Sequence, residues 1–275
     1  VWYIQQMAVP PGLFWVWIMI RMPRTGIPPP RSIQVVLMPG KATAEAFAEV
    51  GIDLIICGRR VEKLLEVSES LSAKVKVMTL QFDVRNRTEV QTAIASLPDV
   101  WKNIDILVNN AGNAHGMGRL EDGDLDDWDA MIEGNVKGLL YVSKAVIPLL
   151  KARGKSHIIN LSSIAGKQTY INGGVYCATK AAVEVLSESM RLELTEFGVK
   201  VTNIAPGAVE TDFSLVRFKG DQERAEKVYE GFDPLQAADI ADAILYAVMA
   251  PARVTIADIT ILASSQAAAT TIYRK

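Results

Sequence analysis

The amino-acid sequence predicts an α/β protein built on a doubly wound parallel sheet with helices on both faces. Short runs rich in β-branched residues alternate with segments of helical periodicity along most of the chain. Strands that alternate with helices pair in parallel, because each crossover helix covers one face of the sheet. The chain has 275 residues, 49% of them hydrophobic and 22% charged, which suits a single domain with a large core.

About seven strands are predicted along the chain. They are Ile33–Met38, Ile52–Cys57, Val75–Gln81, Ile104–Val108, His157–Leu161, Lys200–Ile204 and Thr255–Leu262. The predicted helices are Lys41–Val50, Val61–Leu71, a helix that ends at Leu97, the long segment Leu125–Ala152, Val175–Phe197 and Ala237–Met249. The helix that ends at Leu97 is expected to begin with a capping box formed by Thr88 and Gln91. Ligands in such sheets bind at the carboxyl ends of the strands, so the residues after each strand are the candidates for a site.

The first forty residues differ in composition from the rest. No acidic residue precedes Glu45, and the apolar run Leu13–Ile20 is too short to span a membrane as a helix. The prolines at 28–30 predict an extended linker. We therefore expect residues 1–31 to form a poorly ordered, apolar and proline-rich extension, and residues 32–275 to form the domain. An organelle-targeting leader is one alternative, and a spliced, frameshifted or recombined origin of residues 1–39 is another hypothesis.

The composition excludes several classes of function. A formal net charge of −2 argues against a nucleic-acid partner. Two cysteines and two histidines that lie far apart in the sequence predict neither a metal site nor a disulfide framework. Unpaired cysteines are typical of a reducing compartment, so we expect a cytoplasmic protein with a small-molecule substrate and no membrane partner.

Polar and small residues follow three of the predicted strands. Arg59 and Arg60 follow the second strand, where a guanidinium would bind the 2′-phosphate of NADP; a solvated helix start is the alternative. Asp83 and Val84 follow the third strand and could contact an adenine. The segment Asn109–Gly112 follows the fourth strand, and its small residues would let a ligand approach the backbone closely.

A serine, a tyrosine and a lysine follow the fifth strand at a spacing that suggests proton transfer. Tyr176 comes thirteen residues after Ser163, and Lys180 comes four residues after Tyr176. Residues four apart share one face of a helix. A phenol has an ordinary pKa of about 10, and a neighbouring ammonium lowers that pKa by stabilising the phenolate. A serine hydroxyl can hold a substrate oxygen beside the phenol.

From about Lys41 to its end, the chain resembles the short-chain dehydrogenase/reductases. The matching motifs are Asn109–Gly112 (N-N-A-G), Ser163 with Tyr176 and Lys180 (the catalytic serine, tyrosine and lysine), Asn135 (the asparagine that completes the tetrad) and Pro206-Gly207 (the P-G after the sixth strand). The resemblance implies a single-domain Rossmann-type fold and hydride transfer with a nicotinamide cofactor. It also implies a homodimer or homotetramer formed through the two long helical segments.

The resemblance implies roles for the residues of the site. Tyr176 is expected to be the acid–base, Lys180 to lower the pKa of Tyr176 and bind the nicotinamide ribose, Ser163 to position the substrate, and Asn135 to hold a water of a proton relay. The residues expected to bind NADP are Gly40, Arg59, Arg60, Asp83, Val84, Asn110, Ala111, Gly112, Tyr176, Lys180, Pro206, Gly207, Val209 and Thr211.

A narrower likeness concerns the substrate. The segments Asp83–Arg87, Ser96–Ile106 and Phe213–Gly220 and the residues around Gln266 look like those of NADP-dependent 3-hydroxy acid dehydrogenases. This likeness implies oxidation of a small hydroxy acid at its 3-hydroxyl group, with Ser163, Tyr176 and Arg217 contacting the substrate. Arg217 would pair with the substrate carboxylate, and a plain surface arginine is the alternative. His115 is expected to line the substrate entrance without a catalytic role.

The sequence departs from the family at the glycine-rich loop T-G-x-x-x-G-x-G between the first strand and the first helix. Here Met38-Pro39-Gly40 leads directly into Lys41, and Pro39 has no N–H to offer a phosphate. Either Ile33–Pro39 replaces the loop, or Ile33–Met38 is the first strand and part of the loop is missing. Two alternative functions therefore stay open: a non-catalytic relic that acts as a scaffold or dimerisation partner, and a reductase of 3-oxoacyl or steroid carbonyls.

Overall fold

The computed structural model describes residues 2–3, 20–21, 34–37 and 40–275. The chain divides into two units, residues 1–31 and residues 32–275. In the first unit, Trp2–Tyr3 pairs with Ile20–Arg21 as a short antiparallel ladder. The remainder of the predicted extension, residues 32–33 and residues 38–39 lie outside the described residues.

The second unit contains a seven-stranded sheet in which all neighbouring strands are parallel. Its strand order is β7-β6-β5-β4-β1-β2-β3. The strands are β1 (Gln34–Leu37), β2 (Asp53–Gly58), β3 (Val77–Gln81), β4 (Ile106–Asn109), β5 (Ser156–Leu161), β6 (Val199–Pro206) and β7 (Asp258–Ile261). The sheet confirms the predicted doubly wound α/β class, including the number of strands.

Helices follow the strands in the predicted alternation. They are α1 (Lys41–Glu49), α2 (Val61–Leu71), α3 (Arg87–Ala95), α4 (Leu125–Ile132), α5 (Gly138–Arg153), α6 (Ile164–Lys167), α7 (Gly174–Leu194), α8 (Phe213–Arg217), α9 (Gln222–Lys227) and α10 (Ala237–Val248). A π-helical turn, Glu133–Lys137, joins α4 to α5. Among the helices of the described residues, none is long and apolar enough to cross a membrane.

Both faces of the sheet are covered. Helices α1, α2 and α10 bury their apolar side chains against one face, and α3, α5 and α7 bury theirs against the other. Along β2, Leu54 and Ile56 belong to the first of these two clusters, whereas Ile55 and Cys57 belong to the second. Successive side chains of a strand point to opposite faces, so a strand buried on both sides is a continuous apolar run.

The capping box expected at Thr88 and Gln91 is wrong. Helix α3 starts at Arg87, and its N-cap is Asn86, whose Oδ1 accepts hydrogen bonds from Thr88 N at 3.1 Å and Glu89 N at 3.2 Å. Asn86 Nδ2 also donates to Glu89 Oε1 at 2.7 Å. Asn86 therefore caps the free N–H groups of the first turn, and Thr88 lies inside the helix rather than at its cap.

The first strand distinguishes between the two interpretations of the segment before α1. Gln34–Leu37 lies in the sheet between β2 and β4, with Val35 opposite Leu54 on one side and Ile106 on the other. Gln34–Leu37 therefore takes the place of the first strand in the sheet, which favours a shortened loop over a replacement of the loop by this segment. Only residues 38–40 connect β1 to α1, so the connection is shorter than a glycine-rich loop.

Candidate active site

The predicted site residues converge at the carboxyl ends of the central strands. Strands β4, β5 and β6 are neighbours in the sheet, so the segments that follow them meet at one edge. Gly112 follows β4, Ser163 follows β5, and Pro206 ends β6. Helix α7 brings Tyr176 and Lys180 to the same edge.

Tyr176 and Ser163 are in direct contact. Tyr176 lies in the first turn of α7, is 8% exposed and shares a side-chain hydrogen bond with Ser163. Ser163 is the N-cap of α6, and its Oγ accepts from Ala165 N at 3.1 Å and donates to Pro206 O at 3.4 Å. The serine is therefore fixed between α6 and the end of β6, with its hydroxyl directed at the phenol.

Burial dominates the electrostatics of Tyr176. Desolvation raises the pKa of the phenol above its ordinary value, and the Ser163 hydrogen bond and the Arg217 guanidinium offset this only in part. The sequence predicts the opposite direction, because it predicts a stabilising ammonium from Lys180. Lys180 Nζ lies 6.0 Å from the centroid of the Tyr176 ring and donates to Leu161 O at 2.9 Å. Desolvation of the phenolate is therefore the dominant effect on the pKa of Tyr176.

Lys180 is itself buried next to the loop after β4. Burial lowers the pKa of Lys180 to about 8, and the charge of Glu184 opposes this shift. A Cβ on Gly112 would lie 3.1 Å from Lys180 Nζ and 3.3 Å from Asn135 Oδ1. Glycine at 112 thus allows the N-N-A-G loop to close against both the lysine and the asparagine.

Asn135 ties the same loop to α7. It lies in the π-helical turn and is 1% exposed. Its Oδ1 accepts from Asn113 N at 2.7 Å, and its Nδ2 donates to Asn113 O at 2.8 Å and to Thr179 Oγ1 at 3.0 Å. Thr179 precedes Lys180, so the amide fixes the distance between the loop and the lysine. The role of Asn135 in a proton relay stays a prediction.

Arg217 lies over the ring of Tyr176. Its guanidinium carbon is 5.5 Å from the centroid of the Tyr176 ring and 5.6 Å from that of Tyr170, with which it also shares a hydrogen bond. Arg217 Nε donates to Gly116 O at 3.4 Å, and Arg217 O accepts from Gly116 N at 3.0 Å. None of the ion pairs found among the described residues involves Arg217. The half-buried guanidinium is therefore a fixed positive charge beside the phenol.

A second group of residues lies at the ends of β2 and β3. Arg59 is exposed, with its Nη1 3.7 Å from Asp83 Oδ2, and Arg60 is the N-cap of α2. Partial burial would raise the pKa of Asp83, but hydrogen bonds from Arg85 hold it below its ordinary value; Arg85 Nη2 lies 2.6 Å from Asp83 Oδ2. The basic side chains of Arg59, Arg60 and Arg85 suit a phosphate beside a base-binding carboxylate.

The remaining predicted phosphate-binding residue lies between these two groups. Gly40 is the N-cap of α1, and a Cβ there would lie 3.2 Å from Asn110 Nδ2, so the start of α1 is adjacent to the loop after β4. The first turn of α1 holds no acidic residue. A helix N-terminus attracts phosphate through its free N–H groups, and the residues present therefore fit the phosphates of a dinucleotide. Val84 packs on Gly138, whose Cβ would lie 2.8 Å from Val84 Cγ2.

The residues after β6 start a segment that covers the site. Val209–Glu210 pairs in parallel with Leu235–Gln236, so residues 209–236 leave the body of the domain and return to it; we call them the covering segment. Thr211 Oγ1 accepts from Phe213 N at 3.3 Å just before α8, which carries Arg217. Gly207 N donates to Ile261 O at 2.7 Å, which fixes the start of this segment to β7.

Three side chains in or around the site were given no role from the sequence, although Arg85 and Gln266 lie in segments that carry the narrower likeness. Arg85 could have been found from its spacing of two residues to Asp83. Tyr170 has no sequence signal other than its position between Ser163 and Tyr176. Gln266 is buried and its Oε1 accepts from Ala208 N at 2.9 Å, a contact between segments far apart in the chain that no local pattern reveals.

Known proteins share this arrangement of the chain. A family profile described as short chain dehydrogenase matches residues 40–221. Sulfoacetaldehyde reductase 2 of Chromohalobacter salexigens is 42% identical over 229 residues, which are 83% of this chain and 91% of that protein. The NADP-dependent 3-hydroxy acid dehydrogenase of Schizosaccharomyces pombe is 38% identical over 239 residues, 86% of this chain and 92% of that protein. A structure described as the closed form of serine dehydrogenase complexed with NADP+ aligns with a TM-score of 0.82 at 39% identity, over 88% of this chain and 100% of that chain.

Proposed function

The chain belongs to the short chain dehydrogenase family, and from this premise we propose that it is an NADP-dependent oxidoreductase acting on the 3-hydroxyl or 3-oxo group of a small hydroxy acid. The observation that carries the proposal is the Arg217 guanidinium, 5.5 Å from the ring of Tyr176, which itself is hydrogen-bonded to Ser163. A proton-transferring phenol and a fixed positive charge at this distance select a short substrate that carries an anion close to its reacting oxygen.

The names of the relatives support this substrate class. A 3-oxo acid and sulfoacetaldehyde both place their carbonyl carbon one carbon away from an anionic group. A guanidinium binds carboxylates and sulfonates alike through paired N–H groups. Arg217 would bind either anion while the oxygen of the substrate lies between Ser163 and Tyr176.

Each residue of the site has a separate role in the proposed reaction. NADP, when bound, supplies or accepts the hydride at the substrate carbon. Tyr176 gives its phenolic proton to the carbonyl oxygen in reduction and takes it back in oxidation. Ser163 donates a hydrogen bond to the same oxygen, and Lys180 keeps a positive charge near the phenol. Asn135 holds the loop after β4 against α7 and so fixes the lysine.

The cofactor would be held by residues on both sides of β1. Asp83 and Val84 would contact the adenine, and Arg59 and Arg60 would bind the 2′-phosphate. The N-terminus of α1 at Gly40 would face the remaining phosphates. Lys180 would bind the ribose of the nicotinamide, and Asn110, Ala111, Gly112, Pro206, Gly207, Val209 and Thr211 would line the rest of the cofactor site.

A homodimer or homotetramer belongs to the same proposal. Apolar side chains on the outer faces of α5 and α7 are exposed to solvent, among them Leu140, Val185 and Leu192, the last of which is 79% exposed. A second copy of the chain could bury them by pairing the same helices. Sedimentation analysis is expected to show a dimer or tetramer, and a monomer at micromolar concentration would contradict this part of the proposal.

The decisive experiment measures cofactor binding and turnover in the same preparation. An NADPH fluorescence titration should saturate, and serine, 3-hydroxyisobutyrate or 3-hydroxybutyrate should be oxidised. No saturable binding at millimolar NADPH would favour the non-catalytic relic, the alternative raised by the sequence Met38-Pro39-Gly40, which lacks the glycine-rich motif. Inactivity toward all three acids together with saturable NADPH binding would instead favour a different carbonyl substrate, such as a 3-oxoacyl or steroid compound.

A matched pair of variants tests the substrate class. Arg217→Met removes the positive charge at nearly constant volume and should raise KM for an anionic substrate at least tenfold. Arg217→Lys keeps the charge but loses the paired N–H groups, and its KM should fall in between. A neutral ketone of similar size should show the same KM in all three proteins. Equal KM values for the anionic substrate would contradict the role of Arg217.

A further inference from the structure

We propose that residues 263–275, here called the C-terminal tail, anchor both ends of the covering segment, and that Gln266 and Arg274 thereby position Arg217 over Tyr176. The inference rests on the proposed function only in taking Arg217 as the partner of the substrate anion. Gln266 and Arg274 are positioning residues in this sense, because Gln266 contacts the residue before the covering segment, Arg274 contacts the segment itself, and neither touches the reacting atoms.

Gln266 anchors the start of the covering segment. Its Oε1 accepts from Ala208 N at 2.9 Å, and its Nε2 donates to Ala268 O at 3.2 Å. A Cβ on Gly207 would lie 2.1 Å from Gln266 Oε1, so only glycine lets the amide come this close. The buried Gln266 side chain therefore fixes the backbone immediately before the segment that carries Arg217.

Arg274 anchors the end of the covering segment. Its guanidinium donates to Val228 O at 3.1 Å and to Glu230 O, and lies 5.1 Å from the ring centroid of Phe232. Beside it, Lys275 N donates to Gly231 O at 2.7 Å. Gly231 has a φ of +74°, and a Cβ there would lie 3.1 Å from Arg274 Cβ. The backbone after α9 is thus shaped to receive the tail.

The two anchors belong to one compact turn. Ala267 N donates to Thr271 O at 2.9 Å, and Tyr273 N donates to Ser265 O at 2.9 Å. Gln266 and Ile272 form an antiparallel bridge. The tail therefore folds back on itself, which places the contact with residue 208 and the contact with residues 228–232 on the same small unit.

Hydrogen bonds of Tyr229 connect the end of the covering segment to its start and to α8. Tyr229 OH donates to Val209 O at 2.8 Å and lies 2.7 Å from Ser214 Oγ. Val209 starts the segment, Ser214 lies on α8, and Tyr229 is flanked by the two carbonyls that accept from Arg274. A loss of the Arg274 contacts would therefore be transmitted through Tyr229 to the helix that carries Arg217.

On its other side, the covering segment is held by the loop after β4 and by α4. Arg217 exchanges hydrogen bonds with Gly116, and Lys219 Nζ lies 2.9 Å from Asp127 Oδ1 and 3.3 Å from Asp124 Oδ2. The Lys219 ion pairs involve an exposed lysine and are weak in water. The covering segment is therefore held on two sides, by the tail and by the Gly116 and α4 contacts.

Limited proteolysis tests the anchor without any need for activity. Trypsin can cleave the covering segment after Arg217, Lys219, Arg224 and Lys227. Arg274→Ala should speed cleavage at these positions at least fivefold, and Arg274→Lys should give an intermediate rate, because an ammonium lacks the planar fork that serves two carbonyls and a ring. Arg253→Ala, an exposed arginine outside the tail, should leave the rate unchanged. Equal rates in Arg274→Ala and the parent chain would overturn the proposal.

Kinetics then test whether the anchor positions Arg217. Arg274→Ala and Gln266→Ala should raise KM for an anionic substrate at least fivefold, while in Arg274→Ala the kcat, the KM for a neutral ketone and the Kd of NADPH should change less than twofold. Faster cleavage with an unchanged KM for the anionic substrate would overturn the positioning role. A parent chain that binds NADPH but oxidises no hydroxy acid would instead refute the proposed function, and the cleavage rates would still decide whether the tail is an anchor.

Discussion

At the scale of single residues, burial moves both groups of the catalytic pair toward their neutral forms. Desolvation raises the pKa of Tyr176 above its ordinary value and lowers the pKa of Lys180 to about 8. A phenol that keeps its proton at neutral pH is a proton donor. Under the proposed function, the site is therefore set for reduction of a carbonyl at neutral pH, and oxidation would require that Tyr176 first lose its proton.

The rate of oxidation is expected to rise with pH. Because only the phenolate of Tyr176 can accept the proton, kcat/KM for oxidation should increase up to tenfold per pH unit from pH 6 to 8. The increase should lessen above pH 8, where Lys180 loses its charge. Reduction should change little between pH 6 and 8. The measurement is kcat/KM in both directions across this range, and a flat oxidation profile would contradict the raised pKa of Tyr176.

The removal of the phenol tests the same assignment. Tyr176→Phe keeps the buried ring and should lower kcat at least about a hundredfold, the usual contribution of a general acid–base, with an unchanged Kd for NADPH. Tyr246→Phe, which changes an exposed tyrosine on α10, is the control and should retain full activity. Retention of activity in Tyr176→Phe would move the proton transfer to another group.

His157 gives the folded protein a dependence on pH that is separate from catalysis. His157 Nε2 lies 2.7 Å from Thr202 Oγ1, which donates its own proton to Ile256 O at 2.6 Å, so the imidazole is the donor in this pair. Burial, together with the charge of Lys200, lowers the pKa of His157 to about 3. The unfolded chain therefore takes up a proton at an ordinary pKa of about 6.5, where the folded chain does not.

The free energy of unfolding is expected to fall as the pH drops below about 6.5. The contribution of His157 is lost at up to about 1.4 kcal/mol per pH unit, until the folded chain is also protonated near pH 3. Urea unfolding at pH 7.5, 6 and 5 measures this slope. His157→Gln keeps a donor but removes the titration and should flatten the slope, whereas His115→Gln should not. An equal slope in His157→Gln would assign the effect to other groups.

At the scale of elements, the π-helical turn is the feature that the hydrophobic pattern could not show. The sequence predicts a long, mostly helical segment over Leu125–Ala152. The structure divides this segment into α4, the π-helical turn at Glu133–Lys137 and α5. This turn brings Asn135 to the loop after β4, and Gly134 and Gly138 give Asn113 and Val84 room to approach.

The loss of the Asn135 amide should destabilise the domain and slow catalysis together. Asn135→Ala removes three hydrogen bonds and leaves the backbone N–H and C=O of Asn113 without this partner. We expect the free energy of unfolding to fall by about 2–3 kcal/mol. Asn135→Asp keeps the acceptor for Asn113 N but loses both donors, and should destabilise less at low pH than at pH 8. Chemical denaturation of both variants provides the measurement.

The sequence predicted the order of elements well, because buried parallel strands are continuous apolar runs with helices between them. The ends were less predictable: β3 begins at Val77 rather than Val75, and the cap of α3 is Asn86 rather than Thr88. Ser163, Tyr176 and Lys180 were found because their spacing reflects one strand and one helix. Tyr170, Gln266 and Arg274 contribute through contacts between distant segments, which leave no local spacing to read.

At the scale of the whole molecule, residues 32–275 hold every strand of the seven-stranded sheet and every candidate site residue. A chain that starts at Ser32 is therefore expected to fold with the same thermal midpoint as the parent chain, to within about 2 °C, and to bind NADPH with the same Kd. Circular dichroism melting and fluorescence titration measure the two quantities. A drop in the midpoint, or aggregation of the shortened chain, would show that residues 1–31 contribute to the folded domain.

The strand order also describes how the sheet can grow while the chain is still being synthesised. Strands β1, β2 and β3 form one half of the sheet in the order in which they leave the ribosome, and β4 adds to the free edge of β1. Each later strand then adds beside its predecessor, so no pairing has to be broken to admit a new one. The C-terminal tail follows β7 in the chain. A nascent chain would thus complete its sheet before the tail can contact the covering segment, so the site is assembled on a finished sheet.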